Sequence, residues 1–370
     1  MIPRSKKIPA SNYNWIKYLS IFFPLLITLF FISCGDDPVT PVNPEDTVLD
    51  TLDMYDWSLD TIEGHVLNNI YVADSNSIFM TGNGNTMLYY NGKSFSEFNY
   101  AEPNFSAYCI SGYSKDNIFV GGGTYTDPGP SRLSLEVWNG SMFSVQNFPN
   151  DTSYQVDGAY VLGYGEAWLK TAEHSVFHYN NGISQKYEFD SLLGAGYFYK
   201  TENNTLYFFA NREYLYTSVS TGYKFVNNSF QKIYSDFSNM TNELGPSISI
   251  FGNDAMRWGR AVYYFQNENW SKLCNFNVFT GSFGGLTGSS KDYLVVFGAS
   301  TTYEKNMYIW KDKKWHIEKN YCNQISYLAP FIAHNSHLHL VNGIVYMLYR
   351  NSYVNQVAYL LRGKLKNIRK

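Results

Sequence analysis

The chain returns seven times to one apolar strand phrase, and this periodicity constrains the fold more than any other feature. The copies are "NSIFMTG" (Asn76–Gly82), "DNIFVGG" (Asp116–Gly122), "GEAWL" (Gly165–Leu169), "NNTLYFF" (Asn203–Phe209), "NDAMRWG" (Asn253–Gly259), "KDYLVVFG" (Lys291–Gly298) and "NGIVYML" (Asn342–Leu348). Their matching residues are Ile78, Ile118, Ala167, Leu206, Ala255, Leu294 and Val345, with a mean step of about 44 residues. A second landmark, an apolar run, a tight turn and a further apolar anchor, follows in phrases such as "LYYNGKSF" (Leu88–Phe95) and "YIWKDKKW" (Tyr308–Trp315). Its anchors, Phe95, Phe143, Ile183, Phe230, Trp270, Trp315 and Leu365, advance by about 45 residues. Two separate landmarks therefore agree on seven units. Individual steps alternate between roughly 40 and 49 residues, which places longer loops in alternate units.

Within one unit the chain reads as four short strands, in the first unit roughly 70–73, 78–81, 87–90 and 95–98. Asn, Asp and Gly at the turns supply positive φ and side-chain hydrogen bonds, as tight hairpins require. Aromatics make up 18% of the chain, and the Val, Ile, Tyr and Phe of these runs suit a pleated, half-buried surface. No helical period persists after Cys34. One four-stranded meander cannot bury both of its faces, whereas seven arranged radially pack each sheet on its neighbours. The expected fold is all-β, a seven-bladed β-propeller of four-stranded antiparallel blades. Two segments compete to close the ring. "WSLDTI" (Trp57–Ile62) is similar to the outermost-strand sequences "WSKLCNF" (Trp270–Phe276) and "FSVQNF" (Phe143–Phe148), and "KLKNIRK" (Lys364–Lys370) is the alternative.

Gly121, Gly122, Trp138 and Phe143 resemble the repeats of Kelch and galactose-oxidase propellers, in which glycines follow one strand and aromatics mark later ones. The repeat is closer to bacterial extracytoplasmic propeller repeats of the form "IWAVG…IYHYDG…W". That resemblance covers residues 57–370 and implies architecture rather than chemistry.

The amino end reads as an address. Residues 1–18 carry Arg4, Lys6, Lys7 and Lys17 and no acid, and Leu19–Ser33 is apolar. As a helix those fifteen residues would reach roughly 22 Å, short of a bilayer core, which fits a signal segment. "FISC" (Phe31–Cys34) resembles the lipobox of bacterial lipoproteins, which implies cleavage before Cys34 and acylation of that residue. A short membrane anchor or an ordinary secretory signal is the alternative. Residues 34–56, with three prolines, many acids and no Lys or Arg, read as an extended tether. Asp36 and Asp37 resemble the export signal of surface-displayed lipoproteins. The expected domains are a signal peptide at 1–33, the tether at 34–56 and the propeller at 57–370. The expected location is the bacterial envelope, at the outer membrane or cell surface, with the membrane as partner through Cys34.

Net charge is −3, and −7 without the first 33 residues, which argues against a nucleic-acid partner. "HNSHLH" places His334, His337 and His339 together, with His337 and His339, the candidate metal ligands, on one strand face. Asp74, Asp116, Glu166, Asp254 and Asp292 are inner-strand or turn acids, several of them at one repeat position one or two residues before the second strand, a placement that fits turn capping. A polysaccharide hydrolase would need such carboxylates to converge. His174 and His178 lack the Glu of a zincin motif. Beyond Cys34, the cysteines Cys109, Cys274 and Cys322 allow one disulfide, with Cys274–Cys322 the candidate pair, or three thiols. No cofactor and no catalytic residue is expected. The leading reading is a non-enzymatic module binding protein or glycan, with longer loops after Gly122, around Ser218–Tyr223 and after Gly298 sharing one rim. An outer-membrane assembly scaffold and a polysaccharide-active hydrolase are the alternatives.

Overall fold

A computed structural model describes residues 50–125, 132–148, 155–189, 193–213, 217–239, 247–251, 253–259, 261–276, 283–299, 305–318, 337–352 and 357–366. They form seven sheets built on four antiparallel strands each, six of them consecutive meanders. Blade 1 comprises Val66–Asp74, Ser77–Asn83, Thr86–Tyr90 and Phe95–Asn99, innermost strand first. Blade 2 comprises Phe105–Ser114, Asn117–Thr124, Arg132–Trp138 and Phe143–Asn147, and blade 3 Val156–Gly163, Glu166–Thr171, Ser175–Asn180 and Ile183–Glu188. Blade 4 runs Ala195–Lys200, Leu206–Glu213, Thr217–Val226 and Ser229–Asn239, and blade 5 Ser247–Phe251, Asp254–Trp258, Ala261–Gln266 and Asn269–Asn275. Blade 6 runs Phe283–Ser290, Tyr293–Ala299, Lys305–Lys311 and Lys314–Glu318. Blade 7 takes His337–Val341, Ile344–Ser352 and Val357–Leu365, and its fourth strand is Tyr55–Glu63 from the amino end.

Seven apolar cores lie between neighbouring blades, including one that joins blade 7 (Tyr346, Leu348, Leu360) to blade 1 (Leu67, Ile70, Val72). That last core closes the circle. The seven landmark residues all sit on second strands, and none is more than 6% exposed. A second strand is flanked by ladders on both sides and by a blade on each face, so its apolar run is buried throughout.

The recurrent phrase has a structural cause. Across the turn between strands 3 and 4, Tyr90 meets Phe95, Trp138 meets Phe143, Phe225 meets Phe230, Phe265 meets Trp270 and Trp310 meets Trp315. Ring centroids in these pairs lie 4.8–5.2 Å apart. Such pairs contribute about 0.5–1.5 kcal/mol beyond area burial. In blades 1 and 2 the turn is Asn-Gly. The Asn91 and Asn139 Oδ1 atoms accept backbone N–H bonds two and three residues ahead, and Gly92 and Gly140 have φ of 89° and 95°. Blades 4, 5 and 6 use two-residue turns with both φ values near +50 to +64°, as at Asn267–Glu268. These are the hairpin turns whose twist matches that of the strands.

Leu365 does not begin a fourth strand. It ends the third strand of blade 7, opposite Tyr55. The register Tyr55↔Leu365 to Glu63↔Val357 settles closure in favour of the amino-terminal segment, with Trp57 packed on Gly363. A Cβ at Gly363 would lie 2.5 Å from the Trp57 ring. The paired strands also start earlier than residue 57. Thr51–Leu52 adds parallel to Ile317–Glu318 on the outer edge of blade 6. The Glu318 carboxylate, fully buried, accepts from the Met54 and Tyr55 amides at 3.0 and 3.3 Å. Residues 50–56 thus bridge blades 6 and 7 instead of extending the tether. Residues 1–49, with Cys34 and the expected signal segment, lie outside the described residues.

Candidate functional site

In each meander, the turns joining strands 1 to 2 and strands 3 to 4 share one rim. The connections from strand 2 to 3, and from one blade to the next, share the other. The five acids singled out by periodicity fall on the first rim. The Asp74 Oδ1 accepts from the Asn76 amide at 2.7 Å, and Asp116 and Asp292 each pair with the preceding lysine. The amides of Asp116 and Asp292 in turn donate to Ser114 and Ser290, so one Ser-Lys-Asp turn is used twice. Glu166 bonds His178 Nε2 at 2.9 Å, and the imidazole stacks on Trp168 at 4.4 Å. Asp254 is raised above the usual carboxylate range, chiefly by burial, with Asp292 and Glu202 adding to it and the Lys291 amide and charge opposing it. These acids hold turns and neighbouring blades together.

His337 and His339 lie on the innermost strand of blade 7, as expected. Each keeps some accessible surface while surrounded by protein. Burial depresses the His337 imidazole, which also has a hydrogen bond to the Asn68 backbone. Burial, then the proximity of His337, pulls His339 down to about 4, so both rings are neutral at pH 7. Among the described residues no group of three His, Cys, Asp or Glu side chains could hold a metal ion. His334 lies outside the described residues, as does Cys322. Cys109 is buried and Cys274 half-buried, both as thiols that burial pushes up to about 12.

Sequence reading missed the buried charges. Lys170, in the second strand of blade 3, reaches the innermost strand, where both Asp157 oxygens accept from its Nζ at 2.8 and 2.9 Å. Gly196 makes room for it, since a Cβ there would meet Lys170 Cδ at 2.9 Å. The buried Arg257 pairs with Asp236 at 3.2 Å. Glu136, fully buried in blade 2, accepts from the Ala101 and Glu102 amides and so anchors the connection from blade 1 to blade 2. An unusual charge inside an apolar phrase, "LEVW" or "WLKT", was the only signal in the sequence.

The second rim carries an open groove of about 640 Å³ at the junction of blades 1 and 2. Gly84, Asn85, Pro103, Asn104, Phe105, Ser106 and Tyr125 line it. Its walls are tied together: the Tyr100 amide donates to the Asn85 carbonyl, and the Tyr125 amide to that of Asn104. Of the three long loops expected on one rim, Ser218–Tyr223 is instead part of the strand Thr217–Val226. Residues 126–131 and 300–304 lie outside the described residues.

No family model matches the sequence, and no curated protein matches it. Solved structures match its fold. YCF48 bound to D1 peptide superposes with a TM-score of 0.61 at 11% identity, over 86% of this chain and 100% of that one. YCF48 from Cyanidioschyzon merolae gives 0.55 at 12%, over 84% and 99%. BBS1N in complex with ARL6DN gives 0.57 at 7%, over 86% and 99%. Identities this low establish the β-propeller fold alone.

Proposed function

We propose that the protein is a lipid-anchored binding module of the bacterial envelope, in which a rigid propeller presents its rims to a protein or glycan and catalyses no reaction. One observation carries this reading. The conspicuous charged groups, Lys170–Asp157, Arg257–Asp236, Glu136, Glu318 and the first-rim acids, are spent on holding the ring and its turns. A scaffold so fixed leaves its exposed connections as the variable, ligand-facing part. Propellers that hold a D1 peptide in YCF48 and ARL6DN beside BBS1N support the same use of this architecture.

The "FISC" phrase and the basic, apolar leader support acylation at Cys34, and the acids after it support surface display. A single acyl chain binds membranes only marginally, so stable anchoring takes two or more. The test is metabolic labelling of bacterial cells with a tagged fatty acid, followed by protease treatment of intact cells. Label in the wild type, its loss in Cys34→Ser and digestion from outside are expected. An unlabelled wild-type protein would overturn the anchor, and crosslinking on whole cells that captures no partner would overturn the binding role.

A further inference from the structure

We infer that the groove between blades 1 and 2 binds a neutral saccharide, with the Tyr125 ring as its stacking platform. This rests on the reading of the propeller as a binding module. Tyr125 is 56% exposed and, unlike the more exposed Tyr113 and Tyr164, lines this groove. Its hydroxyl is hydrogen-bonded to that of Tyr108 at 3.1 Å and its amide to the Asn104 carbonyl, so the ring is held before any ligand arrives. Pre-set geometry lowers the ordering cost of binding.

Among the described residues the lining is uncharged. Asn85 and Asn104 each offer a side-chain carbonyl acceptor and an NH₂ donor, and Ser106 a hydroxyl, the set that matches sugar hydroxyls. Gly84, at φ +118°, has open space where a side chain would stand, so a ligand can approach the backbone there. Thr124 pairs with Phe105 across the sheet and is 5% exposed, and its hydroxyl makes no hydrogen bond among the described residues. Glu102, next to the lining residue Pro103, is not part of the described lining, and Asp127 lies outside the described residues. A protein partner is a poorer match, because protein hot spots fill desolvated pockets with aromatic or Arg anchors. Phe105 is buried, so this open groove presents one flat ring rather than such a pocket.

The test uses the full-length protein in mild detergent on two arrays: neutral oligosaccharides (malto-, cello-, manno- and xylo-series) alongside acidic glycans, and unstructured peptides. Binding to a neutral series is expected, with affinity unchanged between about 0.05 and 0.5 M salt because the described lining carries no charge. Tyr125→Ala should weaken it at least tenfold, and Tyr125→Phe, which keeps the ring, by no more than about threefold. An unchanged melting temperature for both variants controls for folding. Saccharide binding indifferent to Tyr125→Ala, binding confined to acidic glycans, or binding to peptides alone would each overturn the inference while leaving the binding-module reading intact. Silence on both arrays would overturn the inference, and together with no partner crosslinked on cells it would overturn the binding-module reading as well.

Discussion

The sharpest consequence of the ring interior is an acid-labile contribution from His339. In the unfolded chain an imidazole takes up its proton near pH 6.5, whereas inside the ring burial and the neighbouring His337 hold His339 down to about 4. That difference is a factor of about 300 in proton affinity, or about 3 kcal/mol. The folded form binds the proton more weakly than the unfolded form. The contribution is therefore complete above pH 6.5 and is lost as pH falls from there towards 4. His337 shifts the same way. Glu136, Glu318, Asp157 and Asp254 run in the opposite sense, because burial raises all four and their contributions decline as pH rises. The wild-type stability curve is consequently a composite, and the informative quantity is its difference from His339→Gln, in which the carboxylates cancel. Urea unfolding followed by tryptophan fluorescence at half-unit steps from pH 7 to 4 would supply it. The wild type should lose about 3 kcal/mol relative to the variant across that range. A difference constant to within about 0.5 kcal/mol would refute the reasoning.

Other consequences concern the buried charges. Glu318→Ala leaves the Met54 and Tyr55 amides without their acceptor, which should cost about 2–5 kcal/mol and speed hydrogen exchange at those two amides ahead of the rest of the ring. Uniform exchange across blade 7 in that variant would show that Glu318 does not hold the strap. Lys170→Met should destabilise by about 3–5 kcal/mol, since it strands Asp157 in a site where burial already disfavours its charge. Lys170→Met/Asp157→Asn should recover most of that loss, and a failure to recover would assign the cost to packing around Gly196 instead.

Much of the fold could be read in advance because its information is local. The φ demands of Asn-Gly and Asn-Asn turns, and the five-residue spacing of Tyr90 and Phe95 or Trp310 and Trp315, are properties of one hairpin and repeat with it. The acids of the first rim were legible for the same reason, since Asp74 caps its own turn. The groove was not legible. Its walls come from a strand 2–3 turn of blade 1, the connection to blade 2 and the end of a strand in blade 2, and none of these carries a distinctive motif. Glu136 and Glu318 were equally opaque, because each bonds amides that lie far from it along the chain.

The chain's order of residues, taken alone, determined that there would be seven four-stranded leaves and where their turns and second strands fall, because backbone conformation and side-chain alternation act over a few residues. Only the folded ring decided how the circle is fastened. A segment from the amino end completes blade 7, and two further residues, Thr51 and Leu52, clasp blade 6. Which distant amide meets a buried carboxylate, and which aromatic ring stands free at a junction, depend on contacts between blades, and those exist only once all seven have packed.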